Sequence, residues 1–437
     1  MCVLILRFFK RGSREPTLHE ASYAGKLAAV KKRLDHGGSV EERGRQGATA
    51  LMLAAQEGHT AVVEFLLDAD AQPNARNPLG VTPVGAAAFA GHTEVLERLF
   101  ARGGDINTKD SKSNTPVMVA SQNGQVGAVR FLIEAGADRG ARNEDGHSVL
   151  SLAVVEGHDD VVAALLELGV PVDLKDADGT TPLMLAAESG NREMAQRLLD
   201  LGADANATRE DGGTGLMTAT SVGNRAMVEL LLSAGADALQ RDRHGLSPFL
   251  RSAMYGHLDL AETMLDHGQA IDASDLLGRT ALILAATGGH VELARALLSR
   301  GASVDSKAEN GTTALIAAAH GGHEAIVELV LQSGASVDAT DGRGASALFK
   351  AAEEGRTRLV EWLADEGADV NVEDVNGRTP LTVAAEGAFS DLIESLLDRG
   401  ATIDEKESNR LTTYAEQQGL TDVAELLRKA TSAQRRS

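Results

Sequence analysis

Cysteine and aromatic residues are scarce in this sequence, and their scarcity narrows the classes of protein to which it can belong. The single cysteine, Cys2, excludes an internal disulfide framework and a zinc site built on cysteines. Only 3% of the 437 residues are aromatic, with one tryptophan and three tyrosines. Small side chains must therefore fill the core, which favours thin elements that stack closely. No apolar run approaches the length of a membrane-spanning helix.

Positive charge is also in short supply, since the formal net charge is −21. This balance argues against general nucleic-acid binding, which depends on neutralising phosphates. The charge is unevenly distributed. Residues 1–45 hold twice as many bases as acids, whereas residues 353–407 hold three times as many acids as bases. We therefore expect a molecule with one basic and one acidic end.

The first fifteen residues lack the order of features that a secretory signal has. Their apolar run precedes their basic residues, and no small-residue cleavage site follows. We predict a disordered leader over residues 1–15 and a soluble, cytoplasmic protein. A weak membrane contact through the apolar and basic side chains of this leader is the alternative.

Threonine or serine recurs every 33 residues over most of the chain. The eleven positions are Thr49, Thr82, Thr115, Ser148, Thr181, Thr214, Ser247, Thr280, Thr313, Ser346 and Thr379. Two ladders of glycine keep the same period, one starting at Gly58 and the other at Gly103. The chain is too long for one compact core, and a fixed period of this size is typical of stacked repeats.

Each repeat carries the local signals of two helices. In the repeat that begins at Thr181, the hydroxyl is placed to cap a helix with Pro182 at its first position. Gly190 ends this helix, where a left-handed residue costs least in glycine. A second amphipathic helix follows over residues 191–201. One such pair cannot bury its apolar face alone, but stacked neighbours can.

These motifs resemble those of ankyrin-repeat proteins over about residues 16–428. The similar stretches include TPV at 82–84, TPL at 181–183, LAAQEGH at 53–59 and GADVN at 367–371. The resemblance implies an all-α solenoid in which each repeat has a helix-turn-helix and a projecting β-hairpin finger. It also implies a curved stack whose concave face, made of fingers and first helices, holds partner proteins.

The ends and two irregular repeats depart from the regular pattern. We predict about thirteen units, with an N-terminal cap at 16–45, a C-terminal cap at 408–428 and a tail at 429–437. Asp70 stands where the second glycine is expected, and Ala388 stands where the first is expected, with Gly387 one position early. The histidine that usually follows Thr-Pro-Leu in the family is replaced by apolar residues such as Met184 and Phe349 in most internal repeats.

The sequence shows no arrangement that predicts chemistry. Half of the twelve histidines follow the first glycine of a repeat: His59, His92, His158, His257, His290 and His323. With one per repeat they cannot converge on a metal, so we interpret them as turn residues and expect no metal and no cofactor. No nucleophile–base pair is evident, so we expect no enzyme. An unrecognised site on the concave face is the unfavoured alternative.

Two groups of residues at partner-facing positions of similar repeats are candidates for binding a protein. The first is apolar and consists of Leu79, Val81 and Phe89, and the second is mixed and consists of Arg241, Arg243, His244, Met254 and Tyr255. Aromatic and arginine side chains are common binding anchors. The alternative is that Phe89, Met254 and Tyr255 pack against an adjoining finger.

One finger position is basic in successive repeats: Arg43, Arg76, Lys109, Arg142 and Lys175. We predict that these cations line a basic rim that attracts an acidic partner. The alternative is that each is solvated beside the Asp or Asn that follows several of them.

Together these features predict a non-enzymatic, monomeric protein-interaction module or scaffold. The principal alternative is a structural spacer that joins its basic end to the acidic end of another copy. A third hypothesis makes the chain a substrate, because LADEGADVN at 363–371 resembles segments that asparagine hydroxylases modify, with Asn371 as the target.

Overall fold

The computed structural model of this chain describes residues 15–434. Residues 1–14, which include Cys2 and the hypothesised membrane contact, and residues 435–437 lie outside the described part. The described residues form twenty-six α-helices and one short 3-10 turn at Arg45–Gly47. The prediction of an all-α repeat solenoid is confirmed. No helix in this part of the chain is long and apolar enough to cross a membrane.

The helices follow one another as pairs. The first helices of the pairs are α1 (Leu18–Tyr23), α3 (Ala50–Gln56), α5 (Pro83–Ala90), α7 (Pro116–Gln122), α9 (Val149–Val155), α11 (Pro182–Ser189), α13 (Gly215–Val222), α15 (Pro248–Tyr255), α17 (Ala281–Gly288), α19 (Ala314–Gly321), α21 (Ala347–Glu353), α23 (Pro380–Glu386) and α25 (Glu405–Gln417). The second helices are α2 (Leu27–Asp35), α4 (Thr60–Asp68), α6 (Thr93–Ala101), α8 (Val126–Glu134), α10 (Asp159–Glu167), α12 (Arg192–Asp200), α14 (Arg225–Ser233), α16 (Leu258–Asp266), α18 (Val291–Ser299), α20 (Glu324–Gln332), α22 (Thr357–Asp365), α24 (Ser390–Asp398) and α26 (Thr421–Gln434).

The periodic threonines and serines begin the first helices, as their spacing predicts. Thr181 Oγ1 accepts a hydrogen bond from the backbone N–H of Met184 at 3.4 Å, and Pro182 occupies the first helical position. All but one of the eleven periodic hydroxyls accept such a bond. The exception is Thr115, whose buried Oγ1 has no hydrogen-bond partner among the described residues. Each cap satisfies a backbone donor that the helix itself leaves free.

The chain divides into two compact units, and each is built by nearest-neighbour packing. The first unit runs to Thr218 and includes Ser233–Ala236, and the second comprises Ala219–Leu232 and the chain from Asp237 onward. Within the first unit α3 packs between α1 and α5, and α4 between α2 and α6. Within the second, α19 packs between α17 and α21. Fully buried alanines such as Ala54 and Ala318 allow this close approach.

The fingers are tight turns rather than extended hairpins. In the finger 110–114 the Asp110 N–H donates to the Asn114 carbonyl at 3.0 Å, and the Ser113 N–H donates to the Asp110 carbonyl at 3.0 Å. Strand-like pairing in the described residues is limited to two bridges, Ser274 with Thr280 and Thr340 with Ser346. The β-hairpin that the resemblance implies is therefore reduced here to its turn.

Side chains also bind each repeat to the one before it. The Nε2 atom of His92 donates to the carbonyl of Gln56 at 3.0 Å, and the other five periodic histidines make the same bond 36 residues back. Each ring lies against the left-handed glycine of the preceding repeat, where a Cβ would collide with it. These histidines are therefore turn residues that also have a second role, because each hydrogen bond connects its repeat to the preceding one. This contact is called the histidine clamp below.

The two irregular repeats keep the left-handed backbone without glycine. Asp70 has φ 61° and Ala388 has φ 60°, whereas Gly387 has φ −80°. Gly387 is required for a different reason, because a Cβ at this position would lie 2.4 Å from the ring of Phe389.

The last pair extends beyond the predicted C-terminal cap. Helix α25 begins after Asp404, whose carboxylate accepts the Glu407 N–H at 2.9 Å, and α26 continues to Gln434. The predicted start of the cap at residue 408 is therefore too late, and the predicted start of the tail at 429 falls inside a helix.

Candidate functional site: the finger face

The surface formed by the fingers and the exposed parts of the first helices is called the finger face here. Hydrogen bonds between consecutive fingers hold it together. In the second unit the N–H groups of Leu276, Glu309, Gly342 and Val375 each donate to the preceding finger, at 2.7–3.0 Å. Each finger is thus fixed to the next, and its side chains have a defined position.

The first predicted binding group is largely part of the core. Val81 is only 4% exposed and packs in a cluster with Met52 and Leu53, so the prediction that it faces a partner is wrong. Phe89 is partly buried against the same cluster, which supports the packing alternative for this residue. Leu79 is 42% exposed. Only Leu79 therefore presents an exposed apolar side chain in this group.

The second predicted group is more accessible. Tyr255 is 50% exposed and stacks on His257, with ring centroids 6.4 Å apart. Arg243 and His244 are exposed and lie side by side, with 3.3 Å between Nε and Nε2. Met254 is half-buried. The guanidinium of Arg241 donates to the Ser274 carbonyl of the next finger, so this residue serves the fold as well.

Most cations of the basic rim donate hydrogen bonds to the backbone of the next repeat, which the sequence pattern does not predict. Arg43 donates from Nη1 to the carbonyl of Arg76 at 2.9 Å, and Lys175 donates from Nζ to the carbonyl of Thr208 at 3.0 Å. Arg76 and Arg142 make the same contact, with the carbonyls of Lys109 and Lys175. Most of these cations therefore reach across to the equivalent residue of the next repeat, with part of their donor capacity already used.

The polar residues that follow the rim cations turn inward. Asn77 and Asp176 are largely buried, and the Oδ1 of Asp110 accepts the N–H groups of Lys112 and Asn114 at 2.9 and 2.8 Å. These side chains close the finger turns and do not neutralise the cations beside them. The alternative in which the cation is merely solvated remains open at Lys109, whose side chain is exposed.

A buried polar cluster in the first unit was not foreseen from the sequence. The carboxylate of Asp176 accepts the Ser148 N–H at 2.8 Å and the Ser151 hydroxyl on one oxygen, and contacts His147 Nδ1 at 2.8 Å through the other. The serine hydroxyl is bonded to the carboxylate and not to the imidazole. The cluster thus contains serine, histidine and aspartate without the nucleophile–base contact that acyl transfer needs.

A groove of about 440 Å³ opens on the finger face of the second unit. The residues that line it belong to the three fingers 275–279, 308–312 and 341–345 and to helices α17, α19 and α21. Its walls carry Arg279, His320, Arg343 and Lys350, and its floor contains Ile283 and Ile316, which are 2% exposed. A cationic wall over an apolar floor can bind a segment with both acidic and apolar atoms.

The charged groups of the groove differ in how fully they are paired. Arg279 donates from Nε to Asp275 Oδ2 at 2.7 Å, and Lys350 Nζ lies 2.9 Å from Glu353 Oε2. His320 Nδ1 lies 3.7 Å from Glu354 Oε1. Asp341 Oδ1 accepts the N–H groups of Arg343 and Ala345. The Arg343 guanidinium makes no hydrogen bond or ion pair within the described residues.

Sequence reasoning did not single out this groove, although a signal was present. Five fingers lie between residues 242 and 378. The first position of the turn is aspartate in four of them (Asp242, Asp275, Asp341 and Asp374) and alanine, Ala308, in the middle one. Exposed leucines were also missed at the tip of finger 275–279, where Leu276 is 63% and Leu277 54% exposed. An apolar pair at a tip that is otherwise mostly polar was visible in the sequence.

No group of three or more histidine, cysteine, aspartate or glutamate residues within the described chain is placed to hold a metal ion. Asn371, the hypothesised hydroxylation target, accepts the Thr402 N–H at 2.8 Å and donates to the Gly400 carbonyl at 3.2 Å. A modifying enzyme would have to break these contacts before it could reach the side chain.

Comparison with known proteins gives a family but no individual relative. A family model for three copies of ankyrin repeats matches in overlapping segments that together extend from residue 18 to residue 435, beginning with 18–110 and ending with 348–435. No curated protein matches the sequence closely enough to count as a relative. The capped helix pairs, the finger turns and this match agree, and the chain belongs to the ankyrin-repeat family.

Proposed function

We propose that this protein is a non-enzymatic scaffold that binds a partner protein through its finger face. Ankyrin repeats are in general protein–protein interaction modules, which supports the proposal that this chain binds a partner protein. The observation that supports binding through the finger face is the groove on the second unit, which lies beside exposed side chains. Leu276, Leu277 and Tyr255 expose large apolar side chains on this face, and Tyr255 does so in a chain that is only 3% aromatic. Such residues are typical binding anchors.

The finger face has the rigidity that a preorganised binding surface needs. Backbone hydrogen bonds join finger to finger, and Arg241 and Lys307 each donate to the carbonyl of the following finger. A partner that binds such a surface does not have to order it first, which preserves affinity.

Affinity capture from a lysate of the source cells, read by mass spectrometry, tests this function. The test variant combines Arg243→Glu, Tyr255→Ala and Leu276→Ser, three exposed positions on the finger face of the second unit. The matched control combines Leu239→Ser and Arg358→Glu, exposed positions outside the fingers and first helices. Circular dichroism checks that both fold.

A protein that wild type and control retain, and that the test variant loses, supports binding through the finger face. A partner that all three proteins retain contradicts this placement. Recovery of no protein other than the chain itself would contradict the scaffold function.

Local contacts of the charged side chains near each end argue against the spacer alternative. At the N-terminal end Lys32 lies 2.6 Å from Glu15, and Lys31 lies over the ring of Phe65. Within the acidic stretch 353–407, Asp374 pairs with Arg378 and Asp365 pairs with Arg399. Charges that already have local partners have less to gain from the opposite end of another copy.

A further inference from the structure

The groove on the second unit lies at the one finger of the five between residues 242 and 378 that lacks an acid at its turn. In finger 275–279 the acid is Asp275, whose Oδ1 accepts the N–H groups of Leu277 and Arg279 at 3.0 and 2.9 Å. Its Oδ2 faces the guanidinium of Arg279 at 2.7 Å. In the finger 308–312 the position is Ala308, so neither the turn acceptor nor the outward carboxylate oxygen is supplied by that residue.

The bases that accompany these acids are missing from the same repeat. Asp275 and Asp374 pair with the arginine four residues later, and Asp242 pairs with Arg251, nine residues later, at 2.7 Å. The equivalent positions after Ala308 are Thr312 and Ala317. The middle repeat has therefore lost a whole ion pair and holds three small side chains, and these small side chains leave the space that the groove occupies.

The neighbouring repeats still present cationic donors to that space. A guanidinium has five N–H donors and an ammonium has three. Arg279 directs Nε and Nη2 to Asp275, and Lys350 donates to Glu353, so both retain donors. Arg343 has its whole guanidinium available among the described residues. The single carboxylate lining the groove, Asp341, already accepts two backbone N–H groups through Oδ1.

We propose that the groove binds an extended protein segment through a side-chain carboxylate, from an aspartate or glutamate, that takes the place of the missing turn acid. The carboxylate lies among Arg279, Arg343 and Lys350, where charge-assisted hydrogen bonds are strong. The apolar atoms of the segment lie over Ile283, Ile316 and Ala317. This inference rests on the proposed function and names the chemistry of the partner.

Two substitutions at one residue separate the charge from the fold. Ala308→Asp restores the acid of the neighbouring fingers, whose carboxylate caps the finger turn, and fills the groove with negative charge. Ala308→Asn restores the same turn acceptor without the charge, as Asn77 does in finger 77–81. Both variants are expected to melt no lower than wild type, so a difference in binding between them reports on charge alone.

The probe is a random dodecapeptide phage library selected on the immobilised full-length chain, followed by fluorescence anisotropy with synthetic copies of the enriched peptides. We expect enriched peptides that contain Asp or Glu, and a loss of about tenfold or more in affinity when that residue becomes Asn or Gln. Ala308→Asp and Arg343→Glu are expected to weaken binding by a similar factor, while Ala308→Asn, which fills the same space without adding charge, weakens it less than Ala308→Asp does.

Enriched peptides without an acid, or equal binding to wild type and Ala308→Asp, would overturn the inference. So would a selection that enriches nothing. The proposed function has a separate test, because a partner captured from lysate through the finger face and unaffected by Ala308→Asp leaves that function standing while this inference fails. Loss of all capture from lysate contradicts the function whatever the peptides show.

Discussion

At the residue scale, the backbone of this chain adopts the left-handed conformation, with positive φ, at many positions. Glycine occupies nearly every such position, but Gln46, Asp70, Ser113 and Ala388 have a positive φ with a Cβ. A left-handed conformation costs a residue with a Cβ roughly 1–2 kcal/mol, and aspartate tolerates it better than alanine. Of the two irregular repeats, the one with Ala388 therefore carries more of this strain.

Replacing Ala388 with glycine is expected to stabilise the protein by about 1 kcal/mol, because the strain disappears and no buried side chain is lost. Ala325→Gly in α20 is the matched control, since this alanine is exposed and helical, and glycine there costs about 1 kcal/mol. Urea unfolding of the full chain measures both changes. A decrease in the free energy of unfolding for Ala388→Gly would contradict the strain argument.

The histidine clamp makes a second prediction at this scale. A Cβ added at Gly58 would lie 2.6 Å from the ring of His92, at φ +76°. Gly58→Ala is therefore expected to destabilise by about 2–3 kcal/mol, which combines backbone strain with an overpacked contact. Gly103 has φ +82°, and a Cβ added there would have no described atom within 4 Å, so Gly103→Ala should cost only the backbone strain of about 1 kcal/mol.

A double variant, Gly58→Ala with His92→Ala, tests whether the excess comes from the ring. The coupling energy between the two positions should be about 1 kcal/mol or more. Additive effects of the two substitutions would show that the ring does not cause the excess.

At the scale of the element, the finger is a turn held by a buried carboxylate. Asp374 Oδ1 accepts the N–H groups of Asn376 and Arg378, at 2.8 and 2.9 Å, and its Oδ2 accepts from Arg378 Nε at 2.9 Å. Burial by itself raises the pKa of Asp374, but the hydrogen bonds from Arg378 and Asn376 outweigh it, and the net pKa is lowered. The ionised form therefore stabilises the finger.

This direction fixes how the stability of the finger depends on pH. A carboxyl whose pKa is lower in the folded chain contributes stability above its unfolded pKa of about 3.9, and that contribution is lost as the pH falls through the folded value. Asp374→Asn should therefore cost about 1–3 kcal/mol at neutral pH, and the gap should begin to narrow below about pH 4 and close once the pH is below the folded pKa. Urea midpoints of both proteins at several pH values measure the gap, and a gap independent of pH would contradict the assignment.

The buried pair of Arg251 and Asp242 makes an element-scale prediction of a different kind. The two side chains lie 2.7 Å apart and are 16% and 2% exposed, so both are largely out of water. Arg251→Met should cost about 3–5 kcal/mol, because the buried carboxylate of Asp242 loses its counter-charge. Arg225→Met is the comparison, since this exposed arginine lies 2.8 Å from Glu229 and its loss should cost under about 1 kcal/mol. Equal losses in chemical denaturation would argue against burial as the deciding factor.

At the scale of the whole molecule, the charge distribution invites association between the basic and acidic ends of two copies. The local pairs at both ends act against it, so we predict a monomer of 45.6 kDa at both low and high salt. Light scattering at about 0.01 M and about 1 M salt tests this, because the screening length falls from about 30 Å to about 3 Å over that range. A dimer that forms only at low salt would favour the spacer alternative.

The sequence alone determined the period, the capped first helices, the left-handed glycines and the pairing of helices. These features depend on a few adjacent residues, and each recurs in register many times, so the local signal for one repeat is reinforced by the others. Thr181 with Pro182 predicts its helix correctly without any knowledge of the neighbours.

Only the tertiary structure decided which side chains on the fingers face solvent. Val81, predicted as a surface residue, lies in the core, and the cations of the rim reach the carbonyls of the next repeat. The groove exists because Ala308, Thr312 and Ala317 are small, whereas the positions equivalent to them in the adjoining repeats include Asp275, Arg279 and Lys350. Exposure and open space depend on the packing of one repeat against the next, and a pattern read along a single repeat does not contain that information.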